Sequence, residues 1–268
     1  MLPKVKVRAY AQWSIRYKLM ASLLLLALTT LAVTGTVAYI KNQTALKNQV
    51  FNQLTGVTVS KKSQIEAYYQ TIHSHVETLS DDSMFIEAMR EFRDAFRKMN
   101  SVPLQPSSLD AVREDYMVNF YPEMRKLNMA RQTFLAYLPV TPAAIQLQYL
   151  YIVKNPYPMG HRDQLINPGD GSDYSKVHQK YHKAFREIIR KFGYYDLYFI
   201  DAETGRQVYD VEKDRDFATS LLEGPYSNSN LAKVVKQCIA SQNVDDVFFS
   251  DFEPYEAGSE QKVKKVPS

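Results

Sequence analysis

The chain has 268 residues, 45% hydrophobic and 23% charged, with a formal net charge of +4. That charge sits largely in the N-terminal tail, so no basic surface points to nucleic acid. A single cysteine, Cys238, excludes an internal disulfide framework, and its neighbours "VVKQCIAS" suggest a small buried hydrophobe on a helix.

Residues 19–40, "LMASLLLLALTTLAVTGTVAYI", run for 22 positions without a charged side chain. At ~1.5 Å per residue such a helix reaches about 33 Å, enough for a ~30 Å hydrocarbon core. A signal-peptide apolar region spans only about 7–15 residues, and no A-x-A cleavage pattern follows this one. Lys4, Lys6, Arg8, Arg16 and Lys18 precede the segment, whereas only Lys41 and Lys47 lie in the stretch just after it. By the positive-inside rule the N-terminus stays in the cytoplasm and everything after Lys41 is extracytoplasmic. Trp13, Tyr17 and Tyr39 suit the interfacial belt.

After the anchor, Ile65, Tyr68 or Tyr69, Ile72, Val76 and Leu79 recur at steps of three and four, which predicts a stalk helix with one buried stripe. The cluster Ser80, Asp81, Asp82, Ser83 interrupts it, because short oxygen-bearing side chains cap new helical starts. Phe85, Met89, Phe92, Phe96 and Met99 resume the stripe until Pro103 and Pro106 forbid continuation. His73 and His75, two apart, do not share a face and read as solvated or capping. A stalk with this much apolar surface predicts parallel pairing with a second copy, a homodimer, unless other helices of the same domain cover it.

Ser107 and Asp110 have capping-box spacing, and Pro122 predicts a kink or stop. Thr141-Pro142 predicts a capped helix running to Asn155-Pro156, and "NPYPMGHRDQLINPGDGS" a loop. The next helix, "SDYSKVHQKYHKAFREIIRKFG", carries Val177, Tyr181, Phe185, Ile188 and Phe192 on one side and Gly193 after its end. "YYDLYFI" and "RQVYDV" across "DAETG" predict a hairpin, a helix follows from about Ser229, and "DVFFSDFEPY" reads as a third strand. Helices first and a short antiparallel sheet after them predict the α+β class.

Chemistry has few footholds. His178 and His182 stand at i, i+4, a spacing that can serve one metal, but no glutamate follows His178 as in H-E-x-x-H, and polar residues on an exposed or loop-facing side are the simpler expectation. "NPGDGSDY" has calcium-loop composition without the order or the closing Glu. No phosphate-binding, nucleophile-elbow or CxxC pattern occurs, so neither an enzyme, a metal site nor a cofactor is expected.

The stretch from "LQYLYIVKNPYPMGHRDQL" through "GYYDLYFIDAETGRQVYDVEKDRDFATSLLEGPYSNSNLAKVV", with "SKKSQIEAYYQTIHSHVETLSDDSMFIEAMREF" upstream, resembles the extracytoplasmic Cache-type sensor region of bacterial receptors, including adenylate/guanylate cyclases, histidine kinases and chemotaxis transducers. The resemblance covers most of residues 50–255. It implies a cytoplasmic tail (1–18), a transmembrane helix (19–40), a helical stalk and helical region (41–192), a partial Cache or PAS-like antiparallel sheet (193–255) and a polar tail (256–268). It further implies residence in the bacterial inner membrane and binding of a small solute whose signal crosses the bilayer. In such receptors the sheet continues into more strands, a second membrane helix, a HAMP linker and an effector. This chain ends in "EAGSEQKVKKVPS", so a truncated receptor is expected, an inert or purely structural anchor being the alternative.

A pocket in that architecture lies against one sheet face. Strand alternation sets Tyr195, Leu197 and Phe199 on one face and Tyr194, Asp196 and Tyr198 on the other. Asp196, an acid inside an aromatic strand, is the candidate partner for a ligand ammonium, as acidic residues are in amino-acid-binding Cache domains. Tyr194, Tyr209 and Tyr226 would supply walls, and Asp216 is the next acidic candidate. The competing expectation is that Asp196 only accepts backbone hydrogen bonds.

Overall fold

The structure is a computed structural model and describes residues 14–258. The expectations for Lys4, Lys6, Arg8, Trp13 and the last ten residues lie outside the described residues. The chain divides into two compact units, Met1–Ile72 and His73–Ser268.

Helix α1, Ile15–Asp81, is 67 residues long. It contains a window of mean hydropathy 2.0 with none of that window buried, so it is long and apolar enough to cross a membrane and is not the core helix of a globule. All five Ser and Thr hydroxyls within residues 19–40 bond to carbonyls one turn back, for example Thr34 Oγ1 to Thr30 O at 2.8 Å and Thr36 Oγ1 to Ala32 O at 2.7 Å. That matters because hydrocarbon offers a hydroxyl no other partner.

In the second unit, Asp82 ends α1 and caps α2 (Ser83–Asn100), its carboxylate accepting from Met84 N at 2.8 Å. The break expected near Ser80 is therefore a cap-to-cap junction. Phe85, Ala88, Phe92, Ala95, Phe96 and Met99 bury one face of α2 at steps of three and four. Helix α3 (Pro106–Asp115) does not use the Ser107/Asp110 box. It starts with Pro106 in its first turn behind Gln105, which makes no side-chain cap. A π-helical turn at Tyr116–Phe120 carries the chain into α4 (Tyr121–Lys126), so Pro122 neither stops nor ends the run. Pro122 falls in the first turn of α4, where a missing N–H costs little.

After the short α5 (Phe134–Tyr137), Thr141 caps α6 (Pro142–Gln148), which continues as a π-helical turn over Tyr149–Val153. Helix α7 (Asp173–Phe192) runs from the Ser172 cap to Gly193 at φ 73°. Its buried face is Tyr174, His178, Tyr181, His182, Phe185 and Ile189. The apolar stripe expected there is thus rotated: Phe192 is exposed, Val177 and Ile188 are only partly buried, and both histidines face inward.

Strands β1 (Tyr198–Asp201) and β2 (Arg206–Asp210) form an antiparallel hairpin, pairing Tyr198 with Asp210 and Phe199 with Tyr209 before a bulge. Gly205 closes the turn at φ +65°, and a Cβ there would meet Leu222 Cγ at 2.3 Å, so only glycine fits. Helix α8 (Asn230–Ala240) follows its Ser229 cap. Two corrections come at the end of the chain. The segment 246–255 forms no strand, and among the described residues the sheet has two strands. Cys238 is exposed rather than buried, because α8 is covered only at Ala232 and Val235.

The fold is therefore mixed, dominated by helices, with a long apolar N-terminal helix and one small antiparallel sheet. One core joins the inner faces of α2 and α7 to the hairpin, with the Phe92 ring 4.5 Å from Tyr209 and 5.4 Å from Tyr174. Each such fully buried aromatic is worth ~1.5–3 kcal/mol by removal from water. A second core gathers Tyr116, Phe120, Tyr137 and Ile145 around Leu221, Tyr226 and Val235.

Candidate functional site

The chain leaving β2 reads "DVEKDRD", and Asp210, Lys213, Asp214, Arg215 and Asp216 are all buried. Seven residues can hold so many charges inside only if nearly every one is answered by a donor or an opposite charge. Asp210 accepts from the backbone N–H of Lys213 at 2.7 Å and of Asp214 at 3.2 Å, which folds the loop back on the strand end. Lys213 stands at φ 61° and donates its ammonium to the carbonyls of Asp210 and Val211, 5.1 Å above the Tyr209 ring. Arg215 pairs with Asp115 and lies 5.2 Å from the Tyr116 ring. Tyr195 donates to Asp214 Oδ2 at 2.8 Å.

Asp216 is met from two sides. Gln207 Nε2 and the Tyr255 hydroxyl both donate to Oδ2, the latter at 2.5 Å. Its other oxygen, Oδ1, has no partner, nor do Gln207 Oε1 and the Tyr226 hydroxyl, although all three atoms are shielded from solvent. Two of these three can only accept, and the third can accept. Tyr226 and Tyr255, rings 6.1 Å apart, also wall a recess of about 70 Å³ that opens between Arg131, Asn228, Glu253 and Glu256. The Tyr255 hydroxyl thus links this recess to Asp216. A volume far below the ~300–1,000 Å³ of drug-sized pockets suits only a small solute.

Electrostatics has the same sign. Burial, then the neighbouring charges of Asp210 and Asp214, holds the Asp196 carboxyl well above the ordinary range. Burial, with Asp210 and Asp216 nearby, does the same to Asp214. Asp210 is pushed up to about 7 by burial, against the pull of Lys213. Burial also raises Asp216, partly offset by its bonds from Tyr255 and Gln207. Burial thus raises all four carboxyls, which favours their protonated form.

The residues expected from the sequence separate into three places. Tyr226 lines the recess, and Asp216 lies behind it, joined to it through the Tyr255 hydroxyl. Asp196 lies with Asp210 and Asp214, its Oδ1 accepting from the N–H groups of Leu197 (2.7 Å), Val211 (3.1 Å) and Glu212 (3.2 Å). The ladder begins after these bonds, β1 starting at Tyr198 and not at Tyr194. Its Oδ2 is shielded and unpartnered. Tyr194 and Tyr209 belong to the other core: Tyr194 shares a 2.8 Å hydrogen bond with His75 Nδ1, and Tyr209 one of 2.6 Å with His182 Nδ1. His75, expected to be solvated or capping, packs 4.3 Å from the Phe192 ring. Gln207, Asp210, Asp214 and Tyr255 were not singled out by sequence. Three aspartates in seven residues directly after a strand were the available signal.

His178 and His182, expected on an exposed or loop-facing side, stack inside the core at 4.1 Å. His182 spends Nδ1 on Tyr209 and Nε2 on the Asp163 carbonyl, so it keeps no nitrogen for a metal. Burial lowers the pKa of both imidazoles. No cluster of three or more His, Cys, Asp or Glu suited to a metal occurs among the described residues. Set against protein-family models, curated proteins and solved structures, the chain matches none of them.

Proposed function

We propose that this chain is the membrane-tethered, extracytoplasmic input region of a bacterial receptor, with a Cache-like body that binds a small cationic solute such as an amine or an amino acid. The observation that carries the ligand class is the set of shielded, unanswered acceptors at Asp216 Oδ1, Gln207 Oε1 and Tyr226. An ammonium brings three donors and a positive charge, which is what such acceptors lack in a site already crowded with carboxyls. The tyrosine walls add apolar and cation–π contact. The helix of membrane-spanning length and apolarity supports the tether, with the N-terminus in the cytoplasm and the body outside the inner membrane. A solute bound at the body would act on the tethering helix and so on whatever effector the receptor carries.

The test is a thermal-shift screen on the full chain in detergent with methylammonium, diamines and amino acids. A binder at a hundred times its Kd stabilises by about 2.7 kcal/mol, and Asp216→Asn abolishes that gain. If no cation raises the melting temperature, or if Asp216→Asn changes affinity less than twofold (~0.4 kcal/mol), the assignment is wrong and the chain is a structural anchor.

A further inference from the structure

The stripe expected to be buried along α1 contains no buried residue. Its last members, Val76 and Leu79, line a groove of about 510 Å³ that lies within the second unit. A second wall is a side of α2 next to the one packed in the core. There Ile86, Met89, Arg90 and Arg93 stand at i, i+3, i+4 and i+7, so their side chains run along one face of the helix. Leu197 and Phe199, at the start of the hairpin, line the remainder together with Phe85.

The groove is sorted by polarity. Val76 is 42% exposed and Ile86 40%, while Leu79, Met89 and Leu197 are partly buried, so apolar surface is left open in a concavity. Its charged residues are two arginines, one turn apart at the far end of the α2 stripe. Arg93 Nε is shielded from solvent and has no acceptor. Asp94 comes only to 4.0 Å of it, an exposed ion pair beyond hydrogen-bond reach. A shielded guanidinium N–H without an acceptor carries a desolvation cost that a bound anion removes, and the guanidinium fork matches a carboxylate. The volume falls in the ~300–1,000 Å³ range of small-molecule sites, and Met89 can adapt its shape to an occupant.

We infer that this groove binds a free amphiphilic carboxylate, whose apolar body lies along Val76, Leu79, Ile86 and Met89 and whose head is held by Arg90 and Arg93. From Ile86 to Arg93 the helix rises ~10 Å at ~1.5 Å per residue, which suits an acid of medium length. The site is opposite in charge to the acidic recess and depends neither on that recess nor on the membrane reading of α1. Its walls come from the end of α1, from α2 and from the hairpin, so an occupant would join three elements.

The experiment uses the full chain in phosphatidylcholine nanodiscs, carrying Ile86→Cys, with the exposed Cys238 of α8 as internal reference. Octanoate is the probe, and maleimide labelling of each cysteine is followed by mass spectrometry. Octanoate is expected to slow labelling at position 86 several-fold and to leave Cys238 unchanged, whereas octylammonium, the same chain with the opposite charge, protects little. Arg90→Gln combined with Arg93→Gln should abolish the protection by octanoate. No protection, equal protection by octylammonium, or protection that survives the loss of both arginines overturns the inference. The comparison of the two probes needs no arginine variant, so it decides the matter even where the double variant fails to fold. If exchanging phosphatidylcholine for phosphatidylglycerol slows labelling at position 86 without octanoate, the occupant is an anionic lipid and the free acid is ruled out.

Discussion

Tyr255 donates its hydroxyl to Oδ2 of Asp216 at 2.5 Å, joining positions 39 residues apart in the chain. With Glu256, which accepts from Tyr137 at 2.7 Å and pairs with Arg131 at 3.1 Å, it pins the end of the described chain over the acidic loop. Tyr255→Phe removes one of the two donors to a buried carboxylate oxygen, a loss of ~1–3 kcal/mol. The expected outcome is a lower denaturation midpoint and faster proteolysis within residues 251–258. Unchanged protection of that segment would show that the bond does not hold it.

The pH dependence of stability follows from the buried groups. A carboxyl whose folded pKa is raised contributes stability that is full below its unfolded value of about 3.9 and is lost as pH rises through the folded value. Asp210, at about 7, therefore loses its contribution between roughly pH 4 and 7, at up to ~1.4 kcal/mol per pH unit. His178 and His182, shifted down, act oppositely: their contribution is present above about 6.5 and lost as pH falls below it. Lys213, lowered to about 8 by burial, adds stability as pH rises from there toward about 10.4. Denaturant titrations of Asp210→Asn should show a flatter decline between pH 4 and 7 than the parent chain. An identical slope would mean that Asp210 does not bind a proton in the folded state.

Two ion pairs should differ in worth. Arg215 and Asp115 form a pair in which the arginine side chain is 1% exposed, and although burial would raise Asp115, the guanidinium keeps its carboxyl below the ordinary value. Asp115→Ala takes the carboxylate from a buried guanidinium and should cost ~3–5 kcal/mol. Glu66→Ala, which breaks an exposed pair with Lys62 at 3.7 Å, should cost less than ~0.5 kcal/mol. Chemical denaturation of both variants measures the contrast, and similar losses would contradict the buried placement of Arg215.

Cys238, the chain's single cysteine, is exposed on α8. On the proposed topology, which puts the body outside the inner membrane, a membrane-impermeant maleimide should label it in intact spheroplasts. Burial raises its thiol pKa, so labelling should quicken as pH is raised. Labelling only after lysis would reverse the proposed topology.

The elements whose causes lie within one turn of the chain were legible in the sequence. The apolar length of residues 19–40, the Asp82 junction, the Thr141, Ser172 and Ser229 caps, Gly193 after α7 and the hairpin turn at Gly205 all depend on residues that touch their near neighbours. What depended on the rest of the chain was not. The stripe of α7 rotated to bury His178 and His182 because Tyr209 and the Asp163 and Ile166 carbonyls could hydrogen-bond them, and periodicity counts a histidine as polar before its partners are known. Residues 246–255 have strand composition, yet no strand pairs with them, and Tyr255 is held by its hydroxyl instead. The candidate site shows the same division. Sequence alone could single out Asp196, Asp216 and Tyr226 as unusual residues. Only packing could decide that Asp196 spends one oxygen on three backbone N–H groups while Gln207 and Tyr255 meet at Asp216, because a buried acceptor's partner is set by which distant donor the fold brings within ~3 Å.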